Sequence, residues 1–219
     1  MTEKKQASNK ILWLFAIGQL GWAIMSGIIT NWLVFFYQPS DTAVASGAPV
    51  FFTQGAVFAG LTVIGLIAAV GRIFDAITDP WIASCSDRCK NKLGRRIPFL
   101  RWAAVPLGIV TVLVFTSPVS GQSPKNSLFL LAMDLLFYLF LTLYCTPFNA
   151  LIPELGRTQT ARVNLSTFIS ITFFLGTAVS YLVPNVAKLF EASLGYAGSY
   201  RAAIGIFAAL AVICMEVPA

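Results

Sequence analysis

Residues 51–99 read FFTQGAVFAGLTVIGLIAAVGRIFDAITDPWIASCSDRCKNKLGRRIPF. The stretch is uncharged up to residue 71. Arg72, Asp75 and Asp79 then stand inside an otherwise apolar run, and a connection carrying Arg88, Lys90, Lys92, Arg95 and Arg96 closes it. A bilayer core about 30 Å thick is crossed by roughly 20 helical residues at about 1.5 Å each. The apolar run at 51–85 exceeds that length and lacks the in-out alternation of a barrel strand. It predicts a transmembrane helix with charges inside it, ending in a basic, water-facing loop.

The rest of the chain repeats this alternation of long apolar run and short polar connection. Further spans are predicted near 11–37, 99–117, 127–153, 165–187 and 200–217, six in all. Of the 219 residues 57% are hydrophobic and only 11% charged, with mean hydropathy +0.77, which excludes a soluble globular domain. Glycine and proline are spread without period or low-complexity blocks, which excludes fibre and disorder. The predicted fold class is an all-α membrane protein: a polar tail at 1–10, then a six-helix domain at 11–219. The first span is too long for a signal-peptide core and is expected to be retained.

Placing the basic residues by side sets the orientation. The tail (Lys4, Lys5, Lys10), the second-to-third connection with Arg101, and the fourth-to-fifth connection (Arg157, Arg162) hold eleven; the opposite side holds Lys125, Lys188 and Arg201. The positive-inside rule therefore predicts cytoplasmic termini for this segment, in a cell inner or plasma membrane. The net charge of +6 is topogenic, and no nucleic-acid pattern accompanies it. Cys85, Cys89, Cys145 and Cys214 lie in or beside spans or on the cytoplasmic side, where disulfides are not expected. The chain has no histidine, which removes imidazole metal sites, triads and proton relays.

Arg72, Asp75 and Asp79 are spaced by three and four residues and project from one helical face. Each costs about 2.5–3.5 kcal/mol at the bilayer centre on insertion scales, so an interior, hydrated or paired setting is required. Two carboxylates one turn apart with one guanidinium suit a site that takes up a proton or Na⁺, with Arg72 tuning the acids. A self-neutralising pair that only locks helices is the bland alternative. Pro80 follows directly and is expected to free backbone carbonyls. The fourth span offers Thr142, Tyr144, Cys145, Thr146 and Asn149 around Pro147, with oxygens suited to a hard cation or a polyol. Asp134, higher in that span, is a further acid, buried or interfacial. The first span adds Gln19, Trp22, Thr30, Asn31 and Trp32; Trp22 lies within the span, where its ring suits stacking on a sugar face.

An enzymatic alternative comes from Gly71-x3-Asp75-x3-Asp79, the tail of the CDP-alcohol phosphatidyltransferase motif. That chemistry needs about four metal-holding carboxylates, and residues 55–70 contain no acid. Intramembrane aspartyl proteolysis needs acids converging from different helices, whereas these share one. The sequence is accordingly read as that of no enzyme and of no cofactor beyond a coupling ion. A non-transporting membrane partner or sensor is the other alternative.

The connection at 86–99 has Asp87 and Arg88 followed by Gly94, Arg95 and Arg96, and resembles the cytoplasmic signature of the major facilitator superfamily. Ion pairs there imply a cytoplasmic gate. With "RIFDAITDP" before it and "PFNALIPELGRTQTARVNLSTF" after the fourth span, nearly the whole chain resembles the glycoside-pentoside-hexuronide cation symporters, the melibiose permease family. The resemblance implies that Asp75 and Asp79 coordinate a coupling Na⁺ or H⁺, with Thr78 and Thr142 beside them. It implies cation-coupled symport of a sugar, glycoside or uronide by alternating access. The family's galactoside-binding positions fall here on Ala23, Cys145, Asn149 and near Thr167, a departure on the substrate side. Trp22, Asn31, Cys145, Thr146 and Asn149 are the expected substrate-facing residues. Family members have two six-helix halves, so the chain resembles an N-terminal half. The expected partners are the bilayer, a small-molecule substrate and a second six-helix half, supplied by a longer chain or by another one.

Overall fold

The computed structural model describes residues 8–219 other than 46, 54 and 59; Lys4, Lys5 and most of the predicted polar tail lie outside the described residues. Six long helices dominate: α1 (Asn9–Tyr37), α3 (Val63–Arg88), α4 (Ile97–Val114), α5 (Pro124–Leu155), α6 (Gln159–Ser180) and α7 (Val183–Glu216). Between α1 and α3 lie a short helix, α2 (Asp41–Ala45), and a two-stranded antiparallel hairpin, β1 (Ala56–Phe58) and β2 (Leu61–Thr62). All four cysteines are free.

Contacts along the bundle fix the directions. Asn164 donates to Asn9, Trp13 stacks on Phe168, and Trp32 Nε1 donates to the Ser180 carbonyl, so α6 runs parallel to α1. In α7, Tyr200 lies by Phe36 while Ala211 and Met215 meet Gly21, so this part runs antiparallel to α1. The reversal occurs at Gly195, whose φ of 65° and ψ of 176° break α7. Asp75 pairs with Thr142 and Asp79 with Thr146, so α3 and α5 run parallel. Gly108 packs against Met25 and Tyr37 donates to the Val114 carbonyl, which sets α4 parallel to α1. Odd and even spans thus point opposite ways, as an up-down six-helix bundle requires.

Asn9–Tyr37, Ile97–Val114, Pro124–Leu155 and the joined stretch Gln159–Glu216 are long and apolar enough to cross a membrane. The joined stretch contains two crossings. At 26 residues α3 has the length as well, but Arg72, Asp75 and Asp79 dilute its apolar stretch. The protein is a multi-pass integral membrane protein.

Two predicted boundaries are corrected. The second span does not start at 51: its helix begins at Val63, with the Thr62 hydroxyl capping Gly65 N at 3.2 Å. Gly55 and Gly60, at φ of 97° and 81°, turn the chain into the hairpin instead. Phe51 and Phe52 are buried, packing on Phe36 and Tyr37, and close the end of the bundle opposite the basic loop. The fifth span was expected to end at 187 and the sixth to begin at 200, but residues 183–194 stay helical. Lys188, Glu191 and Ser193 read as a polar loop in sequence; they are the exposed face of a helix whose other face buries Val183 and Ala187 in the core.

Candidate functional site

The α3–α5 seam is a ladder in one register. Thr142 Oγ1 donates to Asp75 Oδ1, and Thr146 Oγ1 donates to Asp79 Oδ1 at 2.6 Å, both pairs 67 residues apart in sequence. One turn toward the hairpin end, a side chain at Gly71 would strike Tyr138, at the same separation. Rows of residues four apart on two parallel helices make such a seam, because i and i+4 stack along one face. Gly71 lets the helices approach, and below it each carboxylate receives a hydroxyl from the facing helix. A charge-assisted bond of this kind contributes about 1.5–3 kcal/mol and fixes the carboxylate's orientation.

The ladder borders an open cleft of about 510 Å³ lined by α1, α3 and α5. Of the residues singled out in sequence, Trp22, Arg72, Asp75, Asp79, Cys145, Thr142, Thr146 and Asn149 line it. Each Asp–Thr bond occupies one carboxylate oxygen. The remaining lone pairs, with the threonine oxygens, leave ligand capacity for a hard cation or for protons. Arg72 lies over the Tyr138 ring, its guanidinium carbon 5.1 Å from the centroid, so the cation is held beside the carboxylates without an ion pair to either among the described residues. Gln19 is buried and accepts from Trp22 Nε1 at 3.2 Å, which orients the indole.

Of the residues expected to bind cation or substrate, two are not on the cleft. Thr78 is buried, and its hydroxyl donates to the Asp75 carbonyl oxygen at 3.1 Å; Thr146 stands at the ladder position beside Asp79. Asn31 donates to Ser180 Oγ at 3.0 Å and ties α1 to α6. Conversely, Ser26 lines the cleft and was missed. It lies four residues after Trp22 and so on the same face, and that spacing was its signal. Asp134 is 1% exposed, which makes it a buried acid and not an interfacial one.

At the basic end, Arg96 is a hub. Its Nη1 donates to Glu154 Oε1 at 2.7 Å and to the Ala150 carbonyl, and its Nη2 lies 3.3 Å from Asp87 Oδ1. Arg95 reaches Glu154 at 3.8 Å. The guanidinium sits at the C-terminal turn of α5, where the helix dipole favours a cation. Gly94, at φ of 102°, turns the connection so that both arginines face α5. Arg88 is exposed and makes no ion pair among the described residues. Glu154 was not singled out, although it is the one acid between Asp134 and Glu191 in the sequence.

The profile of the family described as MFS/sugar transport protein matches residues 14–217. An uncharacterized symporter of Synechocystis sp. is 29% identical over 186 residues, 83% of this chain and 31% of the relative. The putative glycoside/cation symporter YagG of Escherichia coli is 29% identical over 155 residues, 69% of this chain and 31% of its own length. The isoprimeverose transporter of Lactiplantibacillus pentosus is 26% identical over 196 residues, 87% of this chain and 36% of the relative. The chain thus spans about a third of the length of these relatives. The match covers every long helix, the charged cleft and the arginine hub, and the chain belongs to the MFS/sugar transport protein family, a family of transporters and not of enzymes.

Proposed function

We propose that the chain is the N-terminal half of a cation-coupled sugar or glycoside symporter that works by alternating access. The observation that carries this reading is the pair of Asp–Thr rungs facing an open cleft, with oxygens to spare for an ion. Na⁺ or H⁺ binds at Asp75 and Asp79, with Thr142 and Thr146 as neutral oxygen ligands. Arg72 neutralises part of the charge when the ion leaves. Trp22 offers the apolar face on which a sugar ring stacks, while Ser26, Cys145 and Asn149 form the polar wall around it. The relatives' names as a glycoside/cation symporter and an isoprimeverose transporter support this substrate class.

The hub of Arg96 with Asp87 and Glu154 holds the cytoplasmic ends of α3, α4 and α5 together, and its opening accompanies reorientation. The positive-inside count supports a cytoplasmic position for this end. The cleft's open side is covered by a second six-helix half, because charged groups facing lipid cost several kcal/mol. The test is uptake in proteoliposomes by the protein expressed from its complete reading frame, with imposed Na⁺ or proton gradients and a panel of sugars and glycosides. Asp75→Asn and Asp79→Asn are expected to abolish gradient-driven accumulation while leaving the protein folded. Accumulation at the wild-type level in both variants refutes the assignment.

A further inference from the structure

Asp134 stands outside the cation pair and has an environment of its own. It is 1% exposed, and neither of its carboxylate oxygens has a hydrogen-bond partner among the described residues. One of them lies against the backbone of Gly71, where a side chain on that glycine would collide with it and with the Tyr138 ring. Along α5, Asp134 lies one turn beyond the Tyr138 rung and two beyond Thr142. An ionised carboxylate with no donor in such a place costs several kcal/mol, whereas a neutral carboxyl costs far less. The surroundings also select the ligand. A metal cation of the hard kind takes about six or more oxygens. Here a glycine backbone and an aromatic ring fill the space, which leaves room for a proton and not for a coordination shell.

The groups that face Asp134 are few. From α3 they are Arg72, the residue after Gly71, and Asp75 a turn further on; from α5 itself there is Tyr138. On α4 the titratable side chain is Arg101, near the opposite end, and α6 and α1 carry Arg162 and Lys10 near that end too, with Tyr37 at the hairpin end of α1. Arg72 is thus the one cation close by. Its guanidinium rests over the Tyr138 ring, and that ring and an Asp134 carboxyl oxygen both border Gly71, so the carboxyl is within the sweep of so long a side chain.

We infer that Asp134 is a proton-binding site separate from Asp75 and Asp79, neutral in the state seen here, and that on losing its proton it draws Arg72 out of the cleft into an ion pair. The step balances: the Asp134 O–H bond breaks, the proton passes to water, and the carboxylate so formed accepts two N–H bonds from the guanidinium. Withdrawal of Arg72 leaves the pair Asp75 and Asp79 without its counter-charge and strengthens its hold on a cation. This proposal rests on the cleft being the working site of the reading above, but its test does not depend on uptake.

Infrared difference spectra of the membrane-reconstituted protein, from its complete reading frame and titrated with alkali without Na⁺, read the carboxyl directly. Wild type is expected to lose a buried protonated-carboxyl band as pH rises. Asp134→Asn, which matches the shape of the neutral acid, lacks that band, and Asp75→Asn keeps it. Arg72→Gln keeps the band through the range in which wild type loses it, because the ion pair is no longer available. Persistence of the titrating band in Asp134→Asn overturns the site. An unchanged titration in Arg72→Gln overturns the exchange with the guanidinium. Absence of any such band from wild type overturns both, whatever the fate of Asp134→Asn. Loss of uptake in Asp75→Asn bears on the coupling reading alone.

Discussion

Thr142 carries one hydroxyl, and that hydroxyl is committed to Asp75. Its β-branch restricts χ1 to two rotamers in a helix, and the bond to Asp75 selects one of them, so the oxygen is held in place before any ion arrives. Replacing Thr142 by Val keeps the shape and removes the donor and ligand, at a cost of about 1.5–3 kcal/mol for a bond to a charged group. Thr142→Val should therefore raise the coupling-ion concentration for half-maximal uptake by roughly ten- to a hundredfold, and Thr142→Ser should restore most of it; dose–response curves in proteoliposomes check both. At this scale the sequence was partly legible. Asp75, Asp79, Thr142 and Thr146 could be found because charge and hydroxyl inside an apolar run are conspicuous. Ser26 was not, because a serine in a helix is cheap and commonplace. Thr78 and Asn31 were conspicuous, yet local bonding claims them: one caps a carbonyl of its own helix, the other bridges to α6.

The elements meet where glycines remove side chains. A Cβ on Gly176 would lie 2.7 Å from the Leu20 carbonyl oxygen and 2.8 Å from the Ala23 Cβ, so α6 touches the backbone of α1 there. A Cβ on Gly21 would strike the Ala211 carbonyl oxygen and Met215, which places α7 equally close on another face of α1. Backbone cannot yield as a long side chain can. Gly176→Val is expected to cost about 1–3 kcal/mol by overpacking and to lower the melting temperature in detergent, whereas Gly205→Val, where nothing lies within 4 Å, should leave it unchanged. The six helices were legible because length and hydropathy are summed over many residues. Their ends were not. The hairpin at 56–62 is built from apolar residues that sequence joins to the helix, and it is Gly55 and Gly60 that separate them. The polar turn of α7 before Gly195 hid helix in the same way.

At the basic end three helices are tied through one side chain. Arg96 is 14% exposed while its partners Asp87 and Glu154 are 58% and 48% exposed, so the guanidinium is the anchored member and the acids are the solvated ones. Isolated exposed pairs contribute only about 0–1 kcal/mol, but a planar fork that also holds the Ala150 carbonyl fixes the geometry of α3, α4 and α5 together. A lysine has the charge without the fork. If this hub closes the cytoplasmic side, releasing it opens the cleft to that side, and Cys145 on the cleft wall reports the opening. In the protein from its complete reading frame, with Cys85, Cys89 and Cys214 changed to serine, Arg96→Lys and Glu154→Gln should each speed labelling of Cys145 by a membrane-impermeant thiol reagent applied from the cytoplasm, by severalfold or more. Asp134→Asn, distant from the hub, should not. The comparison separates a gate from a merely topogenic basic loop, since the latter leaves the labelling rate unchanged when Glu154 is neutralised, and the whole-molecule reading of alternating access stands on which of the two is found.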